Sequence, residues 1–297
     1  MSEIFTWLKK AELEKKKGYP EAAIRPVEVI PPYPEPPGPV SSTDSPVPGH
    51  VEHRVVARSD ARFDLAAADH RIRTVLDPMT LIGEQYRMLR ARLSQMQKER
   101  GIKTVLVTSS VPVEGKTFTA CSLAGVFAQE PGKRVLLMDA DLRKPRASHN
   151  LGLGNAAHAD GLSQVLRGEK SAEEVLLGSD NMSFFLLPAG PVPDDPAELL
   201  SSPHLERTIR EMAAVFDWVI IDSPPVIGLA DASLIAPLCD GTILVIHTDK
   251  TPSKLAKEAI ERIGAGRFLG LVLNRGKHHR TSHYYYHYYH KGRDKRP

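Results

Sequence analysis

From residue 81 onward, apolar runs of strand length alternate with amphipathic stretches of helix length. The runs fall at 104–107, 135–138, 184–187, 218–221, 242–246 and 269–273, and inside them almost every position is apolar. A strand that does not alternate with polar residues is buried on both faces. Strands of that kind separated by helices belong to a parallel sheet covered on both sides. The pattern therefore predicts a doubly wound, mostly parallel α/β domain over 61–275, with its ligand beyond the carboxyl ends of the strands.

The flanking segments read differently. In 1–17, Ile4, Phe5, Leu8 and Ala11 would line one side of a short helix, with Ser2 as cap and lysines at its far end. Two readings stay open there: docking to a membrane surface or partner, and a frayed terminus. From 18 to 60 the chain is proline-rich, with Pro31, Pro32, Pro34, Pro36, Pro37 and Pro39 in close order. Proline lacks the ladder donor and large apolar residues are few, so the expectation is an extended, disordered linker. Residues 276–297 form a basic, tyrosine-rich tail, expected to be flexible.

Composition is that of a soluble protein, 41% hydrophobic and 25% charged, with net charge +3. Cys121 and Cys239 lie in apolar stretches and read as small core residues in a reduced compartment. No run approaches the roughly 18 apolar residues of a membrane span, and no secretory signal opens the chain. The expected location is cytoplasmic.

Candidate chemistry begins at the first apolar run. It is followed by Ser110-Val111-Pro112-Val113-Glu114-Gly115-Lys116-Thr117, with Phe118 next as a further candidate cofactor-binding residue, and a helix through Phe127. Strand, loop, Gly-Lys-Thr and helix are the context of a P-loop. Loop N–H groups and the helix N-terminus would cradle the phosphates of ATP. Lys116 would reach the β- and γ-phosphates, and the Thr117 hydroxyl would ligate Mg²⁺. One departure stands out, Ser110 in place of the usual first glycine; within the loop, Val113 could not take positive φ cheaply. Two more strand ends carry acids, Asp139 and Asp141 after one and Asp222 after another. Asp222 fits a Walker B acid, while Asp139 or Asp141 would share the metal or accept a hydroxyl proton. Arg143 either contacts phosphates or caps the following turn. Asn274, ending the last strand, either recognises the base or is an ordinary strand-end residue.

With these residues in view, the chain resembles the bacterial tyrosine kinases of polysaccharide export, and among them the stand-alone autokinases of exosortase-associated exopolysaccharide loci. The likeness rests on 110–117, on Asp139-Ala-Asp141-Leu-Arg143-Lys-Pro145, on Asp222-Ser-Pro-Pro225 and on the tyrosine tail. It implies a P-loop NTPase fold, Mg-ATP as cofactor and catalytic roles for Lys116, Asp139, Asp141 and Asp222. It also implies a homo-oligomer, with a ring among its forms, through Glu84, Arg87 and Arg90. Those three recur at a spacing of three on one helix face and otherwise read as a self-paired charge stripe. A membrane activator of the chain-length-determinant class is a further implied partner, holding the protein at the inner face of the plasma membrane. Partition and division-site ATPases, which position other proteins without phosphorylating tyrosine, are the alternative. Their signature lysine would fall at Val111, which argues against them.

In the tail, Tyr284, Tyr285, Tyr286, Tyr288 and Tyr289 are five of the chain's eight tyrosines. Their spacing suits neither strand nor helix, and they are the expected autophosphorylation sites. No nucleic-acid partner is expected. Residues 277–297 carry six Lys/Arg and one Asp, a side-chain net of +5, which leaves the remainder near −2.

Overall fold

The computed structural model describes residues 62–154 and 160–276. The N-terminal helix expected at 1–17, the linker at 18–60 and all five tail tyrosines lie outside the described residues. The strands are β1 (Arg62–Phe63), β2 (Thr104–Ser109), β3 (Val135–Asp139), β4 (Leu177–Ser179), β5 (Phe184–Leu187), β6 (Trp218–Asp222), β7 (Gly241–His247) and β8 (Phe268–Asn274). The α-helices are α1 (His70–Leu76), α2 (Leu81–Arg100), α3 (Lys116–Ala128), α4 (Ala147–Asn150) and α5 (Leu162–Leu166). They continue with α6 (Ala172–Val175), α7 (Pro196–Leu200), α8 (Pro203–Val215), α9 (Asp231–Ile235) and α10 (Ser253–Ile263).

The eight strands form one sheet in the order β1-β4-β5-β3-β6-β2-β7-β8. Every pairing is parallel except β4 against β5. All six strands expected from the apolar runs are present. β1 and β4 were not expected, because two or three residues form no readable run; they extend one edge, where Phe63 meets Phe184 edge-on at 5.5 Å.

Side-chain alternation along the strands divides the core into two layers. On one face Leu106, Met138 and Ile221 pack with Leu162, Ile209 and Ile260 from α5, α8 and α10. On the other, Val105, Leu137 and Ile220 pack with Ile72, Leu93 and Phe127 from α1, α2 and α3. α3 is enclosed along nearly its whole length, which explains its small residues: a Cβ on Gly125 would lie 2.8 Å from Leu76 Cδ2. Phe127 stacks on Trp218 of the central strand β6 at 4.2 Å, tying this helix to the sheet. The helix that carries Lys116 at its start is thus fixed by the core behind it.

Candidate active site

β2 ends at Ser109 and enters α3 through 110–115. Gly115, at φ 97, makes the last turn, and a Cβ there would stand 2.0 Å from Asn274 Nδ2. Conformation and space both require glycine. Val113 adopts φ 69 and is 76% exposed. Positive φ at a β-branched residue costs roughly 1–3 kcal/mol, so the loop keeps its turn at the expense of strain.

Neighbouring groups hold this loop closely. The Ser109 hydroxyl donates to the Val111 carbonyl at 2.8 Å, and the Val111 N–H donates to Glu114 Oε2 at 2.9 Å. Val226 and Ile227 N–H groups donate to the carbonyls of Ser109 and Ser110 at 2.8 and 3.0 Å. Asn274 Nδ2 donates to the Glu114 carbonyl at 2.7 Å, while its Oδ1 accepts the Arg275 N–H at 2.9 Å. Both polar ends of Asn274 are therefore engaged in bracing. The Val111 N–H, expected in the phosphate cradle, is likewise taken by Glu114. N–H groups of Lys116 and Thr117, in the first turn of α3, have no intrahelical acceptor and point the helix dipole toward an anion.

Strand register assembles the acids. Asp139 of β3 is directly opposite Asp222 of β6, and Val107 of β2 is opposite Asp222 on its other side. Lys116 Nζ lies 2.7 Å from Asp141 Oδ2, 3.8 Å from Asp222 Oδ1 and 3.1 Å from Thr117 Oγ1. Asp139 accepts N–H groups from Asp141 at 3.2 Å and Ala147 at 3.0 Å, one on each oxygen. Asp141 Oδ1 accepts the Lys144 N–H at 3.0 Å. Four ionisable groups from three sequence-distant segments share one buried pocket.

Their proton affinities reflect that crowding. Burial, with the Asp222 charge next, pushes Asp139 up to about 8 against the opposing Ala147 N–H. Burial also raises Asp222, to about 6, with Lys116 and Thr117 limiting the rise. For Lys116 burial works against the ammonium, but the carboxylates, Asp222 foremost, outweigh it and hold its pKa above the ordinary lysine value.

Mg-nucleotide fits these residues on two observations. Asp222 is fully buried, yet neither carboxylate oxygen completes a hydrogen bond, and the buried Ser110 hydroxyl at the loop is also unpaired. Buried polar atoms left this way are rare and call for an ion or water. Among the described residues no three His, Cys, Asp or Glu side chains form a metal cage. Mg²⁺ needs none, since it keeps several waters and takes one or two protein ligands plus phosphate oxygens. Thr117 and Asp222 are the side chains placed to hold it, with Asp139 one strand away.

Other expected residues are committed elsewhere. Arg143 forms a two-pronged pair with the fully buried Asp231 of α9 at 2.7 and 2.9 Å, a partner the sequence did not reveal. Phe118 packs edge-on against Tyr86 at 6.3 Å. Arg87 binds Glu84 at 2.9 Å and the Pro78 carbonyl at 2.8 Å. Arg90 turns inward to the Val126 carbonyl at 2.7 Å and Glu130 at 3.1 Å. Of the three, only Glu84 and Arg87 pair with each other, and Arg90 is engaged outside the stripe. Sequence reading also missed the contacts of Glu114 Oε1, because their partners come from β7 and the loop after it.

Similarity to known proteins agrees with this geometry. Residues 113–263 match the AAA domain family. The chain is 40% identical over 210 residues to the tyrosine-protein kinase YwqD of Bacillus subtilis, covering 70% of this chain and 87% of that protein. It is 30% identical over 233 residues to the succinoglycan biosynthesis transport protein ExoP of Rhizobium meliloti, covering 76% of this chain but only 29% of that one. The kinase domain of the Escherichia coli tyrosine kinase ETK superposes with a TM-score of 0.61 at 27% identity, covering 74% of this chain and 84% of the domain. P-loop, paired strand-end acids and relatives converge: the chain belongs to the bacterial tyrosine-protein kinases.

Proposed function

We propose that the protein is an autokinase that transfers the γ-phosphoryl group of Mg-ATP to tyrosines 284–289 in the tail of an adjacent copy. The observation that carries this is the Lys116 ammonium, seated between Asp141 and Asp222 and beside Asp139 at the end of a P-loop. Bound Mg²⁺ would supply charge neutralisation on the β- and γ-phosphates. The chain's own residues do the remainder. Lys116 turns from the acids to the phosphates, and the first-turn N–H groups of α3 position them. The tyrosine oxygen forms the new P–O bond as the bond to the β-phosphate bridge breaks, and ADP leaves. The phenolic proton passes to a carboxylate. What supports Asp141 over Asp139 in that role is that Asp139 spends both oxygens on backbone N–H groups, whereas one Asp141 oxygen faces Lys116.

Charge supports the tail as substrate. Its net of +5 favours approach to an acid-lined pocket. Each phosphate adds about −1.5 to −2 charges, so five would add roughly −7.5 to −10 and reverse the attraction. Oligomers held partly by unmodified tails would then separate on phosphorylation. The relative in succinoglycan biosynthesis supports a role in exopolysaccharide production, beside a membrane activator at the cytoplasmic face. Among the described residues no helix is long and apolar enough to cross a membrane.

Mass spectrometry of the tail after incubation with Mg-ATP tests the reading. Phosphotyrosine at 284–289, absent in Lys116→Met and in a variant with all five tyrosines changed to Phe, is the expected result. A tail free of phosphate in a protein that binds and hydrolyses ATP would overturn it in favour of an ATPase switch. Sizing the protein before and after phosphatase treatment tests the separation of oligomers; identical profiles would refute it.

A further inference from the structure

We propose that Glu114 is a positioning residue: its buried carboxylate, clamped to the β7–α10 loop, holds Val113 in the left-handed conformation that keeps the phosphate loop open for nucleotide. The starting point is that Val113 cannot hold itself there. Its side chain is 76% exposed, so contacts of its own contribute little, and a free valine would return to negative φ. The constraint must come from the residues on either side.

Both sides are pinned. Before Val113, the Val111 residue is fixed at its carbonyl by the Ser109 hydroxyl and at its N–H by Glu114 Oε2. Pro112 then sets its own φ through its ring. After Val113, Glu114 is only 2% exposed. Its Oε1 accepts the Thr251 hydroxyl and, at 3.3 Å, the His247 N–H, while its carbonyl accepts Asn274 Nδ2 at 2.7 Å. The Thr251 hydroxyl also accepts the His247 N–H at 3.2 Å, which closes the small network. Val113 is the unsupported link between two fixed peptides, and its φ follows from their positions.

The clamp joins parts of the chain 133 to 160 residues apart. It ties the phosphate loop to the ends of β7 and β8, so the loop's shape depends on the far side of the sheet. Losing the clamp lets Val113 relax and reorients the peptide between Val113 and Glu114, immediately before the open turn of α3. This inference rests on the nucleotide site alone. Whether the tail is the phosphate acceptor does not enter it, and a binding measurement is blind to phosphate transfer.

The experiment measures the affinity of the full-length protein for Mg-ADP by calorimetry, in a double-mutant cycle. Glu114→Ala should weaken binding about tenfold or more. In a Val113→Gly background, where positive φ carries no penalty, the same substitution should cost less than about threefold. A purely structural contribution of Glu114 would cost the same in both backgrounds, and that equality would overturn the proposal. An unchanged affinity in Glu114→Ala would do so as well. Circular dichroism and thermal melting check folding. Should Glu114→Ala not fold, Thr251→Val removes one hydroxyl from the clamp and runs the same cycle, with a smaller loss that Val113→Gly again reduces. Equal Thr251→Val losses in the two backgrounds would count against the clamp.

Discussion

The two ends of the sheet use the same residue type to opposite effect. At the amino ends of the strands, Asp240 accepts the N–H groups of Lys103 and Thr104 and the Thr104 hydroxyl, at 2.8, 2.8 and 2.9 Å. Asp217 there accepts the Arg134 N–H at 2.8 Å and pairs with Lys133 at 3.2 Å. At the carboxyl ends, Asp222 is fully buried with no completed hydrogen bond, and Asp139 is pushed to about 8. Satisfied aspartates knit loops to strands. Asp222, left without hydrogen bonds, and Asp139, hydrogen-bonded but buried beside a like charge, mark where the fold gives up stability to keep a place for a charged ligand.

This contrast can be broken in three ways. Asp222→Asn should have the largest effect, lowering phosphate transfer by about 10²–10³-fold, on the scale of losing one electrostatic group at a reacting centre. The same change should leave the Mg-free protein no less stable, because it removes a desolvated carboxylate that completes no hydrogen bond, while Lys116 keeps Asp141 as its nearer partner at 2.7 Å. Steady-state kinetics and urea titration together check both halves. If Asp222→Asn unfolds the protein, the two edges are not different in kind.

Asp240→Ala should behave in the reverse sense. It removes the shared acceptor of the exposed Lys103 N–H and of the part-buried Thr104 N–H and hydroxyl, and should cost about 0.5–1.5 kcal/mol of stability, read from the urea midpoint. Phosphate transfer at a temperature well below unfolding should persist, since Asp240 is at the opposite edge from Lys116. A selective loss of turnover in a folded Asp240→Ala protein would contradict the division.

The smallest effect is a pH slope. Asp139 holds its proton up to about 8 when folded, whereas an unfolded aspartate releases it near 3.8. Between those values the folded state binds more protons than the unfolded one, so stability falls as pH rises through the window. Asp222 adds to the fall up to about 6. The melting temperature of the Mg-free protein should therefore drop between pH 4 and 8 more steeply than that of Asp139→Asn. Parallel curves would show that the carboxyl is not held in its neutral form.

Much of this was legible from residue order. The six long strands fell within two residues of the apolar runs, because burial on both faces leaves no polar interruptions. The acids were legible as well, since a charged residue closing such a run must lie at the sheet's edge. Sequence could not show which acids would be satisfied. The partners of Asp240 are 136 and 137 residues away, and those of Glu114 include His247 at a separation of 133. The Arg143–Asp231 pair spans 88 residues. Two further strands were not expected, for a different reason: β1 and β4 are held by edge pairing and the Phe63–Phe184 contact, not by any pattern of their own.

The Asn274 amide occupies the space that a side chain on Gly115 would need, and so the last strand reaches into the nucleotide site. Trimming the protein from its carboxyl end is harmless to that site only while Arg275 is retained, because its N–H orients the amide. Removing two residues more would take away the amide that braces the Glu114 carbonyl, 158 positions along the chain from Lys116.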